Sequence, residues 1–135
     1  MIKPVEEIAV AVLVRDGKYL AVRGKKDSYW KLPGGGIEAG ELPIEALARE
    51  LLEEIGIKQS TTKGELPQFS LRFKEIRFTF HPYLIQTDQE PRRTLDEDNL
   101  TLEWQPLERM LDDDQAPSQQ VIYRLVKDKI NGSSK

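Results

Sequence analysis

The sequence predicts an α/β (α+β) fold, an α/β/α sandwich in which a central mixed β-sheet lies between helices. Three observations predict it. Two β-branched runs flank an Asp-Gly turn near the start, and a long amphipathic helical pattern follows them. Aromatic and β-branched runs then lead to a last helical pattern near the end.

The first run, "IAVAVLV", is bounded by the turn "RDG", residues 15–17, and "KYLAVRG" follows. Asp-Gly between two such runs reads as a hairpin. A polar loop, "KKDSYW", leads into the glycine-rich "LPGGGIEAGE". Over residues 43–55 the period changes. Ile44, Leu47, Ala48, Leu51 and Ile55 recur at spacings of three and four, one apolar stripe of a helix. Pro43 suits its first turn and Gly56 the position just past its end. Residues 69–86, "FSLRFKEIRFTFHPYLIQ", predict two or three strands, and "NLTLEWQPL" predicts another ending near Trp104. "LERML" reads as a short helical turn. "PSQQVIYRLVKDKI" reads as a C-terminal helix with Val121, Ile122, Leu125 and Val126 inward, before a frayed tail at residues 131–135. The whole of 1–135 is expected to be a single domain.

Composition narrows the function. Apolar residues make up 39% and charged residues 32%, as in a globular protein, and the net charge of −3 argues against a nucleic acid polymer as partner. A polyanionic ligand must then be met by local cations, either Lys and Arg or metal ions. With no cysteine and a single histidine, His81, thiolate chemistry and Cys- or His-rich metal sites are excluded. The apolar run at residues 8–14 is too short to span a membrane and follows two glutamates, unlike a signal peptide, so a cytoplasmic location without membrane contact is expected.

The chemistry-bearing stretch is "LPGGGIEAGELPIEALARELLEEIGI", residues 32–57. At about 100° per residue, Glu50 and Glu54 lie almost above one another and Glu53 about a quarter turn further round, with the apolar stripe facing away. Like charges at such positions repel by ~0.2–0.5 kcal/mol per exposed pair. An oxygen-only cluster turns that repulsion into attraction around a hard divalent cation. Gly34, Gly35, Gly36 and Gly40 let a ligand approach backbone amides, and such a loop at a helix start can hold anionic oxygens. The plain alternative is a solvated acidic face beside a glycine-rich turn.

The spacing G-x5-E-x7-R-E-U-x-E-E-x-G-U, with U a bulky aliphatic, decides between them. It resembles the Nudix box, and Gly35, Glu41, Arg49, Glu50, Leu51, Glu53, Glu54, Gly56 and Ile57 match every defined position. The flanks "AVRGKKDSYWKLPGGGIEAGE" and "LEWQPL" resemble the hairpin-to-box segment and the late strand of small MutT-like members. The resemblance implies hydrolysis of a nucleoside diphosphate linked to another moiety, with Mg²⁺ (or Mn²⁺ as a substitute) held by Glu50, Glu53 and Glu54. Arg49 then orients a box carboxylate and pairs with Glu41 or Glu53, while Gly35, Glu41 and Gly56 shape the box. Glu103 resembles a glutamate that MutT-like members place near the metals from outside the box, so either Glu53 or Glu103 is the candidate general base; the alternative for Glu103 is a strand-edge residue beside a core tryptophan.

Substrate contacts are expected at Arg23, a strand cation toward the phosphates, at the amides of Gly34 and Gly35, and at Gln119, the residue before the last helix that faces the base. Shifting the anchor by one residue puts Ser118 there instead of Gln119. Where some triphosphate-preferring members carry lysine, this chain has Gly36, which leaves Lys25, Lys26 or Lys31 to supply that contact. His81 reads as structural, and Trp30 and Trp104 as core or pocket wall. Phe73, Phe78, Phe80 and Tyr83 read as packing residues, one of them a candidate to stack a base. "LDEDN" and "LDDD" read as solvated loops without calcium-loop spacing. A small-molecule (deoxy)nucleoside triphosphate, oxidised or not, is the expected substrate, giving the monophosphate and pyrophosphate. ADP-ribose, a nucleotide-sugar or a dinucleotide is the alternative, and a non-catalytic nucleotide-binding module is the alternative of another class. A monomer or homodimer is expected.

Overall fold

The computed structural model describes residues 5–94 and 100–132, with side chains to residue 130. Strands β1 (Val5–Arg15) and β2 (Lys18–Arg23) form the expected hairpin. Asp16 and Gly17 both take positive φ, 53° and 76°, the twist-matching turn that Asp-Gly favours. Strand β3 (Gly34–Gly36) pairs antiparallel with β1, Ala9 opposite Gly35 and Val10 opposite Gly34. Helix α1 (Pro43–Ile55), β4 (Thr61–Glu65), β5 (Phe69–Phe73), β6 (Ile76–Gln86), β7 (Thr101–Pro106), a 3₁₀ turn (Leu107–Leu111) and helix α2 (Ser118–Gly132) follow. The strands form one sheet in the order β4-β6-β1-β2-β7, with β3 also on β1 and β5 on β6. β1 and β6 run parallel and the other pairs antiparallel, so the sheet is mixed as expected.

Period-two alternation in β1 serves both faces at once. Ala9, Ala11 and Leu13 pack with Leu47, Leu51 and Ile55 of α1, whereas Val10 and Val12 pack with Ile122 and Val126 of α2. A strand covered on both sides reads as an unbroken apolar run, which is why "AVAVL" carries no polar residue. Cutting Leu51 back to alanine in such a core costs about 2–5 kcal/mol.

Helix α1 starts where Glu45 accepts the Leu42 N–H at 2.8 Å. It stops at Gly56 (φ 70°), whose N–H reaches Leu52 O while Ile57 N–H reaches Leu51 O. Its buried face differs from the expected stripe. Ala46, Leu47, Leu51, Glu54 and Ile55 are buried, while Ile44 in the first turn and Ala48 at the margin of the face are exposed. In α2, Ile122 and Val126 are buried and Val121 and Leu125 only half-buried.

The aromatic stretch makes two strands, with Lys74 (φ 57°) at the turn. Phe69 stacks on Phe80 at 5.1 Å, and Phe73 is exposed. Helix α2 continues through Gly132, two residues into the expected tail, and residues 133–135 lie outside the described residues, as does "LDEDN" at 95–99. "LDDD" is no free loop. Arg109 bridges Asp112 (2.7 Å) and both oxygens of Asp114 (3.0 Å each), and Trp30 N–H reaches Asp114 O. Among the described residues no helix is long and apolar enough to cross a membrane.

Candidate active site

Of the four glycines only Gly40 (φ 84°) lies in the turn before α1; Gly34, Gly35 and Gly36 are instead strand β3, and Gly34 and Gly35 face the helix's acidic side. Gly34 (φ +145°) donates its N–H to Glu54 Oε1 at 3.1 Å. A side chain on Gly34 would run into Ala9 O across the β1–β3 pairing, so only glycine fits. A side chain on Gly35 would push aside the Glu50 carboxyl group, which lies 2.5–2.7 Å from where its Cβ would be.

Glu54 therefore does not lie opposite the buried face. It is 9% exposed, in the middle of that face, because the bare Gly34 amide gives it a partner there. Glu50 is half-buried and Glu53 exposed, so the three box glutamates span the edge from core to solvent.

Arg49 organises that edge. Its Nε and Nη2 grip Glu41 Oε2 and Oε1 at 2.8 and 2.9 Å; Nη2 also reaches Gly36 O at 3.0 Å. Nη1 reaches Glu50 Oε1 at 3.0 Å and, more weakly, Glu53 Oε2 at 3.4 Å. The expected pairing with Glu41 or Glu53 thus includes both, with Glu41 much the stronger. The guanidinium, helped by the Glu38 N–H, holds the Glu41 carboxyl down to about 2. The acids around Arg49 push its own pKa up in turn, Glu41 most of all.

Arg23, Glu103 and Gln119, by contrast, belong to the α2 side of the sheet. Arg23 ends β2, its guanidinium carbon 4.5 Å from the centre of the buried Trp30 ring. Lys31 is engaged with Asp27 at 3.3 Å. Glu103 stands on β7 opposite Ala21, and its Oε1 accepts from Gln105 Nε2 at 2.8 Å. Gln119, the second residue of α2, is 0% exposed, and its Nε2 donates to Gln115 Oε1 at 3.3 Å. Its Oε1 is the one buried side-chain polar atom among the described residues with no hydrogen-bond partner. Ser118 beside it is buried as well. His81 bonds Glu7 at 2.9 Å, a structural placement. Trp104 packs against the α1-side core with Arg15 over its ring.

Sequence reasoning missed Tyr19, Gln105 and Gln115, which form a buried polar cluster behind Glu103. One signal was available. "EWQ" puts Glu103 and Gln105 on one strand face, where a covered sheet calls for an apolar residue at 105.

The family description of the NUDIX domain matches residues 5–126. The chain belongs to the NUDIX family. A curated relative from a Nitratiruptor species, named RNA pyrophosphohydrolase, is 41% identical over 73 residues, covering 53% of this chain and 47% of that protein. The chain thus spans about half or less of the length of the curated relatives it matches first. The MutT protein from Methanosarcina mazei Go1 superposes with a TM-score of 0.80 at 20% identity, over 96% of this chain and 98% of that one. The MutT NUDIX hydrolase from Burkholderia pseudomallei gives 0.75 at 23%, over 90% and 98%. At such identities the likeness is one of fold, and it covers nine-tenths or more of this NUDIX chain.

The NUDIX helix fits a divalent cation by donor chemistry, since Glu50, Glu53 and Glu54 offer only carboxylate oxygens. As the side chains stand, no three acids or histidines among the described residues are close enough to share an ion. Arg49 engages Glu50 and Glu53, and Gly34 engages Glu54.

Proposed function

We propose that this chain is a metal-dependent hydrolase that cleaves a nucleoside diphosphate linked to another moiety, with a nucleoside triphosphate as substrate and a monophosphate and pyrophosphate as products. The observation that carries the reading is the complete acidic helix edge set against side-chain-free strand β3, with Arg49 as its clamp. A non-catalytic module has no need of all three glutamates, the arginine and both close-packed glycines together.

In this reading Glu50, Glu53 and Glu54 would hold Mg²⁺, or Mn²⁺ in its place, which would supply Lewis-acid polarisation of the phosphoryl oxygens and a more acidic water. Water adds to phosphorus, the bond from phosphorus to the bridging oxygen breaks, and Glu53 or Glu103 takes the water's proton. Arg49 keeps the carboxylates oriented through charge-assisted hydrogen bonds. Arg23, its guanidinium over the Trp30 ring, meets the phosphates, and Gln119, buried in this structure with its Oε1 unpaired, reads the base when that end of α2 is uncovered.

A second reading, pyrophosphate hydrolysis on RNA, draws support from the name of the Nitratiruptor relative. On this chain the β5–β6 hairpin also exposes Arg72, Lys74, Arg77 and Phe73, a local basic and aromatic surface on a net-acidic protein. β6 lies across β1 from β3, with Ile8 paired to both Phe80 and Gly36.

The test is a panel of the four dNTPs, 8-oxo-dGTP, ADP-ribose, a dinucleoside polyphosphate and 5′-triphosphorylated RNA, each with and without Mg²⁺, with products identified. Mg²⁺-dependent release of pyrophosphate from a nucleotide supports the first reading, and release from RNA alone supports the second. No turnover of any member overturns both.

A further inference from the structure

We propose that Gln105 is a positioning residue for Glu103, the last link of a buried glutamine relay that starts at the N-terminal end of α2. This rests on the reading of Glu103 as a catalytic carboxylate. Gln119 Nε2 donates to Gln115 Oε1 (3.3 Å), Gln115 Nε2 to Gln105 Oε1 (3.0 Å), and Gln105 Nε2 to Glu103 Oε1 (2.8 Å). The Tyr19 hydroxyl lies between the two inner carbonyls, 2.8 Å from Gln105 Oε1 and 2.9 Å from Gln115 Oε1. Gln105 and Gln119 are 1% and 0% exposed, and Gln115 and Tyr19 are also buried.

The chemistry of the ends sets the direction of this chain. An ionised carboxylate only accepts, so Gln105 must turn its NH₂ to Glu103 and its carbonyl inward. Gln115 must then donate to Gln105, and Gln119 to Gln115. Burial holds the Tyr19 phenol well above its usual pKa, so it remains an O–H donor, with one proton to give to one of the two inner carbonyls at a time. The unpaired oxygen lands at the far end, on Gln119 Oε1. An unmet buried acceptor is costly, and a chain of aligned amides is a stiff support. Pairing between β2 and β7, Tyr19 opposite Gln105 and Ala21 opposite Glu103, sets Tyr19, Gln105 and Glu103 on one sheet face. Glu103 itself is exposed and accepts its hydrogen bond from Gln105, so the relay is what orders it.

The experiment compares Gln105→Met, which keeps the shape and removes the donor, with Glu103→Gln and the double variant. Gln105→Leu serves as a second variant that likewise cannot donate to Glu103. Rates are measured with Mg²⁺ on whichever panel nucleotide the wild type turns over fastest. The side-chain NH₂ resonance of Gln105 is followed by NMR in the metal-free protein. Each Gln105 variant is expected to lower kcat at least ~10-fold with KM within about twofold. Glu103→Gln should lower kcat by at least as much, and the double variant should lose no more than Glu103→Gln alone. The Gln105 resonance should shift in Glu103→Ala. Multiplying losses in the double variant, a change in KM alone, or a Gln105 resonance unmoved by Glu103→Ala each overturn the relay while leaving Glu103 catalytic. Normal kcat in Glu103→Gln overturns the catalytic reading of Glu103, and the relay falls with it.

Discussion

Arg49 holds Glu41 with two parallel hydrogen bonds, 2.8 and 2.9 Å, across eight residues of sequence and from helix to preceding loop. The grip fixes the guanidinium plane, so the remaining Nη1 is aimed at Glu50 and Glu53. A lysine at 49 has no fork with which to do this. Glu41 is thus a foundation for the acidic edge, set one layer behind the carboxylates proposed to hold metal.

That pair has a pH signature. The folded Glu41 carboxyl ionises at about 2 against 4.5 for an unperturbed glutamate, chiefly through the Arg49 hydrogen bonds. A depressed pKa contributes stability that is complete above the unfolded value and lost as pH falls through the folded one. Wild type is therefore expected to exceed Glu41→Gln in Tm at neutral pH. The gap should close between about pH 4.5 and 2. Thermal unfolding followed across that range checks it, and a pH-independent gap would count against the pairing.

Glycines 34 and 35 should separate fold from site. Gly34→Ala drives a side chain into the β1 backbone at a positive φ and should cost at least ~2 kcal/mol of stability. Gly35→Ala meets only the movable end of Glu50, so its Tm should fall little while activity falls roughly 10–100-fold. Calorimetry and steady-state rates on both variants decide, and equal behaviour of the two would contradict the assignment.

Arg23→Ala should raise KM for a triphosphate at least ~10-fold and change kcat less, since a phosphate contact made alike in ground and transition states lowers KM alone. An effect confined to kcat would place Arg23 elsewhere in the reaction.

Gln119→Ala should shift preference among bases by more than it lowers the rate on any one. Uniform slowing across the panel would leave Gln119 as a link of the relay without a part in reading the base.

How much of this was legible depended on range. The hairpin, α1 and the box spacing were readable because each is written within some 25 residues, by turn chemistry or helical period. The Glu41 grip on Arg49 falls within the same span. Glu54 was misplaced because its partner, the Gly34 amide, is delivered by pairing of β3 with β1, which no local period encodes. The same holds for Tyr19, Gln105, Gln115 and Gln119, brought together from two strands, a loop and a helix. The exposure of Ile44 likewise reflects where the first turn of α1 runs past the core.

The central claim is that the acidic edge of α1 is a metal-dependent catalytic site. Glu54→Gln tests it most directly, because a glutamine oxygen still accepts the Gly34 N–H while one charged donor is removed. With circular dichroism and Tm near wild type, Mg²⁺-supported turnover of the preferred nucleotide should fall at least ~100-fold. Turnover at the wild-type rate, with the same Mg²⁺ dependence, would contradict the account.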